Sequence, residues 1–464
     1  MPVQRFSALL ALTLSSTLIL CPASPAETLQ DAVKTMLTTN PDVRSAAHNR
    51  LARDEEVRQA RSGYLPTLDV QAGAGKDYVD KPIDADLDPT LVQLSVRQNV
   101  FAGLATTNEV DRQKARVESQ SYLVRSTANN TALKASDVYL EVLKNQAVVD
   151  LAKENLTLHQ RIADQIKLRS ESGVDSRADM DQIQSRLNLA HSNLIIAQQN
   201  LMDAQTNFNA VIGNPPQQLV RPTPPKATLP TTLAEAEQQA LAAHPQLKSA
   251  NADLQARREQ DEVARSPFMP RVDLEADKTY QQENSYGSDY DGYEEEDLRV
   301  FVRVRYNLFN GWKDEARKQE TVHLINEAQE IRNHTHRQVV ESIHLSWQAH
   351  EAAKQKLAYI KKRLQFAAST AQAYTKQWNI GQRTLLDVLD AEAERIDSAR
   401  QLVTAEYEEM YAQYRILNGL GQLVPALQLP WPKEGAVDET DVPAKTQPVS
   451  QHGEQITIRQ LAVR

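Results

Sequence analysis

Between Gly103 and Gly173 the chain runs for 69 residues without a glycine or a proline, and between Gly311 and Gly381 it does so for another 69. These two residue types are the main helix breakers: proline lacks an N–H and clashes with the preceding turn, and glycine loses too much backbone freedom. Globular helices average about 11–12 residues. At 1.5 Å per residue each run would make a rod of about 100 Å. Across 464 residues, aromatic side chains make up only 5%, too few for the several compact cores that a soluble chain of this length needs. The sequence therefore predicts an extended, mostly helical protein with a few sharply placed turns.

The two runs belong to an internal duplication. Asn40-Pro41-Asp42-Val43-Arg44-Ser45-Ala46 returns as His244-Pro245-Gln246-Leu247-Lys248-Ser249-Ala250, an offset of 204. Ala60-Arg61-Ser62-Gly63-Tyr64-Leu65-Pro66 returns at the same offset as Ala264-Arg265-Ser266-Pro267-Phe268-Met269-Pro270. Asn99-Val100-Phe101-Ala102-Gly103 returns 208 residues later as Asn307-Leu308-Phe309-Asn310-Gly311. We expect repeats at 27–213 and 232–421, joined by a stiff connector at 214–231 that carries six prolines. Beyond lies 422–464, a short structured segment followed by a polar tail, with disorder expected from 443.

Each repeat reads as a short helix (29–38 or 233–243) stopped at an X-Pro step, a second helix (42–62 or 246–266), two strands, the long rod and a returning helix. The strands are expected at 67–78, 90–101, 271–280 and 297–309, where apolar and polar residues alternate. Val300, Val302 and Val304, for example, alternate with Arg299, Arg303 and Arg305. In a soluble protein this would be a half-buried hairpin, yet no surrounding sequence supplies a core. The pattern also suits a membrane β-barrel strand with an apolar outer face. Two hairpins cannot close a barrel, so unpaired edges would call for several chains. The loops between the strands are acidic and lack the spacing of a calcium loop, so they read as solvated.

Residues 1–26 read as a secretory signal, with Arg5, an apolar stretch and the small-x-small site Ser24-Pro25-Ala26. The only cysteine, Cys21, could instead be a lipid-modified residue, but Leu20 stands where that signal needs a small side chain. A net charge of -9 gives no footing for nucleic acid. No metal-ligand spacing, phosphate loop or nucleophile motif appears, so neither a cofactor nor catalysis is expected.

From residue 28 to about 423 the sequence resembles the TolC-like outer-membrane channel proteins of Gram-negative bacteria. The duplication, the paired Ala-Arg-Ser segments and Gly381-Gln382-Arg383-Thr384-Leu385-Leu386-Asp387-Val388-Leu389-Asp390-Ala391 carry the resemblance. It implies a homotrimer in which a twelve-stranded barrel in outer-membrane lipid continues into a periplasmic barrel of twelve helical rods. It further implies a periplasmic adaptor and an inner-membrane transporter, of ABC type if the cargo is protein. We expect the outer-membrane duct of a type I protein secretion system. A drug-efflux duct is the alternative, and a periplasmic coiled-coil adaptor or structural rod is the alternative of another class.

The turns at Gly173 and Gly381 would form the periplasmic tip. Asp387 and Asp390, three residues apart on one helix face, would ring the aperture; otherwise they are solvated acids at a helix start. The resemblance implies a closed-state lock in which a tyrosine and an arginine meet an aspartate. Arg383 and Asp179 match two of these, and Trp378 replaces the tyrosine. Arg97, Arg299, Arg303 and Arg305 are expected to face the barrel lumen.

Overall fold

The computed structural model describes residues 26–80, 85–172, 176–225, 228–286 and 293–437. The expected leader up to residue 25, the turn at Gly173 and the polar tail lie outside these.

In the first repeat, helices α1 (Leu29–Thr39) and α2 (Pro41–Ser62) lead into strands β1 (Thr67–Ala74), β2 (Asp77–Val79) and β3 (Ala85–Ala102). The rod α3 (Ala105–Glu171) and the returning α4 (Arg177–Ile212) follow. The second repeat gives α5 (Leu233–Ala243), α6 (Pro245–Arg265), β4 (Arg271–Tyr286), β5 (Tyr293–Arg305), α7 (Lys313–Asn379) and α8 (Leu385–Gly419), followed by a short α9 (Leu423–Ala426). Both rods have 67 residues, about 100 Å at the helical rise.

One residue makes each corner between the short helix and the next. Asn40 ends α1 and caps α2, accepting the Asp42 N–H at 2.9 Å. His244 does the same between α5 and α6, its Nδ1 accepting the Gln246 N–H at 3.2 Å. Burial lowers the pKa of His244 to about 4, which keeps Nδ1 free to accept. Each strand-to-rod corner uses two consecutive left-handed residues, Gly103-Leu104 and Gly311-Trp312. At Gly103 no other residue fits, because a Cβ would lie 2.5 Å from the Ser266 carbonyl oxygen.

The strands form one antiparallel sheet in the order β1-β3-β4-β5, with β2 continuing the edge along β3. β3 and β4 join the two repeats, Arg97 opposite Glu275 and Val96 opposite Ala276. β5 follows with Phe301 and Val300 at those levels. A bulge at Val100 shifts the ladder so that Phe101 pairs with Val272.

The strands depart from the expected bounds. The expected 67–78 strand breaks at Gly75 and Lys76, 90–101 starts early at Ala85, and 271–280 runs on to Tyr286. The expected 297–309 strand is displaced to Tyr293–Arg305, which excludes Tyr306 and Leu308. There the Asn307 carboxamide accepts the Phe309 N–H at 3.0 Å and turns the chain out of the ladder.

The rods lie side by side. α2 covers the sheet-proximal part of α3 and α4 its far part, while α6 and α8 lie along α7 and also against α3. The order is therefore α2/α4, α3, α6/α8, α7. Buried Ile183, Ala190, Ala197, Ala204 and Val211 recur every seven residues along α4, the period of a left-handed coiled-coil seam. Midway along the rods α1, α5 and α9 add a core around Tyr139, Phe208, Tyr414 and Leu417. The Tyr139 hydroxyl donates to the Val220 carbonyl at 2.6 Å, fastening the connector to the rods. Phe208 and Leu417, fully buried, each stabilise by about 1.5–3 kcal/mol.

Candidate functional site

At the end of the rods away from the sheet, a second small core gathers Ile162 and Ile166 of α3, Ile183 of α4, Trp378 of α7, and Leu385, Val388 and Leu389 of α8. α7 stops there because Gly381, at φ 78, takes the left-handed position. Its N–H donates to the Trp378 carbonyl, and that of Gln382 to the Gln377 carbonyl, each at 2.9 Å. These two bonds are the pair of a Schellman cap.

Both helices that leave the tip begin with the same capping box, 208 residues apart. Ser176 Oγ accepts the Asp179 N–H at 3.2 Å, and the Asp179 carboxylate accepts the Ser176 N–H at 3.1 Å. Thr384 and Asp387 repeat this at 3.3 and 3.2 Å. The two aspartates expected to serve a lock and an aperture are thus equivalent positions of the duplication, each tying down a helix start. The Thr384 hydroxyl and then its N–H hold the Asp387 pKa below its ordinary value, helped by the charge of Arg383.

Asp390, one turn along α8, meets Arg186 of α4 at 2.8 Å. The sequence did not single out Arg186. It lies 204 residues from its partner, and no local spacing announces the contact. Arg383 stacks over the Tyr374 ring at 4.2 Å from its centroid, donates to Gln377 at 3.0 Å and lies 3.9 Å from Asp387. Trp378 is buried, with Arg169 over its ring at 5.2 Å. Among the described residues, neither Trp378 nor Arg383 bonds to Asp179 within one chain. Within one chain the Trp378 ring packs in the core between the rod ends.

The sheet is the second candidate region. Arg97, Arg299, Arg303 and Arg305 lie on one face with Asp273 and Glu275 between them. Both carboxylates escaped the sequence reading, which followed the apolar half of the alternation. The signal was available: Asp273 and Glu275 occupy polar positions of β4, Asp273 opposite Arg303 and Glu275 one step along the same face from it, where opposite charges pair across strands. On the other face Val70, Val302 and Val304 are 70%, 72% and 63% exposed, an apolar surface with no layer over it. Tyr64, Phe268, Tyr306, Phe309 and Trp312 are exposed where sheet meets rods, with Phe309 edge-on to Trp312 at 5.8 Å. Aromatic belts of this kind mark the edges of a membrane's apolar band.

Among the described residues no helix is long and apolar enough to cross a membrane, and no cluster of three His, Cys, Asp or Glu could hold a metal.

The family described as "Outer membrane efflux protein" matches residues 32–214 and 236–422. The chain is 25% identical to Outer membrane efflux protein BepC of Brucella suis over 89% of each chain. It is 24% identical to Outer membrane protein TolC of Escherichia coli over 86% of this chain and 83% of that one. Alkaline protease secretion protein AprF of Pseudomonas aeruginosa is 22% identical over 84% and 83%. Among solved structures, the CusC transmembrane channel superposes with a TM-score of 0.74 at 15% identity, covering 85% of this chain and 92% of that one.

Proposed function

We propose that this chain, which belongs to the outer membrane efflux protein family, works as a homotrimeric exit duct for type I protein secretion. Membership makes it an outer-membrane channel of a Gram-negative bacterium, not an enzyme and not a periplasmic adaptor. The observation that carries the trimer is a four-strand-wide sheet in which, among the described residues, the end strands β1 and β5 each pair on one side only. An unpaired edge in lipid leaves N–H and C=O groups unsatisfied at several kcal/mol each, so closure needs further copies. Three copies would give twelve strands and twelve rods. The rods have a matching unpartnered flank: on α7, Ile331, Leu345, Tyr359 and Phe366 are exposed and spaced by multiples of seven, the seam of a coiled coil that lacks its partner.

In this assembly Asp387 and Asp390 line the aperture, and Arg383 reaches Asp179 of the next copy to hold the tip closed. Trp378 anchors the turn from within. Arg97, Arg299, Arg303 and Arg305 face the lumen, and the turns at Gly173 and Gly381 meet the adaptor. Energy comes from an ABC-type transporter in the inner membrane. Protein cargo is favoured by the likeness to AprF, named for protease secretion, and by Leu20, which spoils a lipid-anchor signal. The likeness to BepC, named for efflux, supports small-molecule cargo as the second reading.

Deletion of the gene separates the two. Loss of one protein from the culture medium with unchanged tolerance to toxic small molecules is the expected result. Lost tolerance with an intact secreted proteome would overturn the secretion reading in favour of efflux.

A further inference from the structure

Two carboxylates near the rod end of the sheet are enclosed by arginines. Asp273 is 0% exposed and Glu275 5%. Arg303 and Arg305 donate to Glu275 at 2.6 and 2.7 Å, and Arg97 lies 3.4 Å from it. Asp273 accepts from Arg271 at 3.0 Å and from Asn99 at 2.8 Å, with Arg305 at 3.6 Å. Four arginines from three strands thus share two carboxylates, an excess of two positive charges in each chain.

The geometry leaves those charges usable. Four guanidiniums carry about twenty N–H donors against about eight acceptor sites on two carboxylates. The carboxylates are covered, while the side chains of Arg97, Arg271, Arg303 and Arg305 stay 55%, 51%, 47% and 47% exposed. Asp273 and Glu275 therefore act from beneath, fixing planar forks that point away from the sheet. Fixed forks suit the paired oxygens of phosphoryl and carboxylate groups and lose little side-chain freedom on binding. Two residues further from the rods the sign changes: Asp69 and Asp277 share this face, and Arg299 pairs with Asp297. The positive belt is confined to the base of the sheet.

We infer that Arg97, Arg271, Arg303 and Arg305 form a binding site for multivalent anions on the polar face, with Asp273 and Glu275 as positioning residues. The site lies within one chain; only its placement in a lumen rests on the function proposed above. Soluble anions are its ligands, since lipid would meet the opposite, apolar face.

Isothermal titration of the detergent-purified full-length protein with sodium tripolyphosphate at low salt tests this. One site per chain is expected, weakened about ten-fold or more in the Arg303→Gln/Arg305→Gln pair and about three-fold in Arg97→Gln. Lys354→Gln/Lys362→Gln, on an exposed face of α7, should bind as the native chain does. Native affinity in the arginine pair, or equal loss in the lysine pair, would overturn the proposal. A melting temperature lowered with unchanged tripolyphosphate affinity would reduce the arginines to strand staples and overturn it too. Should the pair fail to fold, Arg97→Gln decides, because it leaves the ties between β4 and β5 in place. The same preparations are tested in planar bilayers. Conductance without binding sinks the anion site alone, and binding without conductance sinks the channel reading alone.

Discussion

Arg186 and Asp390 join the two repeats at the tip, where α4 and α8 also share a small apolar core. If the aspartates ring an aperture, Arg186 neutralises one of its two carboxylate levels. An exposed pair of this kind contributes about 0.2–1 kcal/mol, a factor of about 1.4 to 5, so Arg186→Gln should strengthen block by multivalent cations by up to about five-fold. Asp387→Asn/Asp390→Asn should abolish the block; single-channel recording with cations on the tip side measures both, and equal block in all three proteins would remove these residues from the aperture. A second residue is read through pH. The pKa of His244 falls from 6.5 to about 4, so the stability it contributes is complete above about 6.5 and lost as pH falls from there toward 4. His244→Asn installs the cap that Asn40 provides in the first repeat, without a titrating ring. The melting temperature of the variant should gain on that of the native chain as pH drops from 7 to 4.5; a constant difference would show that the ring does not titrate in that window. The capping boxes were legible in the spacing of Ser176 with Asp179 and Thr384 with Asp387. The Arg186 contact was not, because it depends on how two distant helices cross.

At the scale of elements, legibility follows the breakers. Rod and helix ends coincide with the expected positions or fall within four residues of them, because glycine and proline mark them in the sequence. Strand ends have no such punctuation. β3 and β4 continue into acidic sequence because ladder bonds need only backbone, and alternation stops where no apolar face is required. The Val100 bulge was hidden for a related reason: Gln98 occupies an apolar-face position, its carboxamide donating to the Tyr64 carbonyl at 3.1 Å. The faces of β5 make a prediction of their own. Cysteines placed singly at 302, 303, 304 and 305 should react alternately with a water-soluble thiol reagent, 303 and 305 labelling and 302 and 304 protected. Uniform labelling would mean that β5 is not a barrel strand. Val302→Lys should cost about 2–4 kcal/mol near the bilayer midplane, read as a lowered urea midpoint of the assembled protein.

Among the described residues one chain is open: a sheet whose end strands β1 and β5 each pair on one side only, continued by four rods. Sequence made the repeat, the rods and the need for other copies legible, since length and period survive without tertiary detail. The arginine belt and the composite tip core needed the fold, because each gathers residues from strands or helices that are distant along the chain. The central claim is that the edges β1 and β5 meet between copies and close after three. The natural chain carries one cysteine, Cys21, inside the expected leader, so introduced pairs face a clean background. Cysteines at Leu68 or Val70 of β1, each combined with one at Val300, Val302 or Val304 of β5, should be oxidised in outer-membrane fractions and run without reductant. For the pairs in register, the account predicts a covalent trimer with nothing larger, returning to monomer on reduction. Monomer alone across every pair, or a ladder of ever larger species, would contradict it.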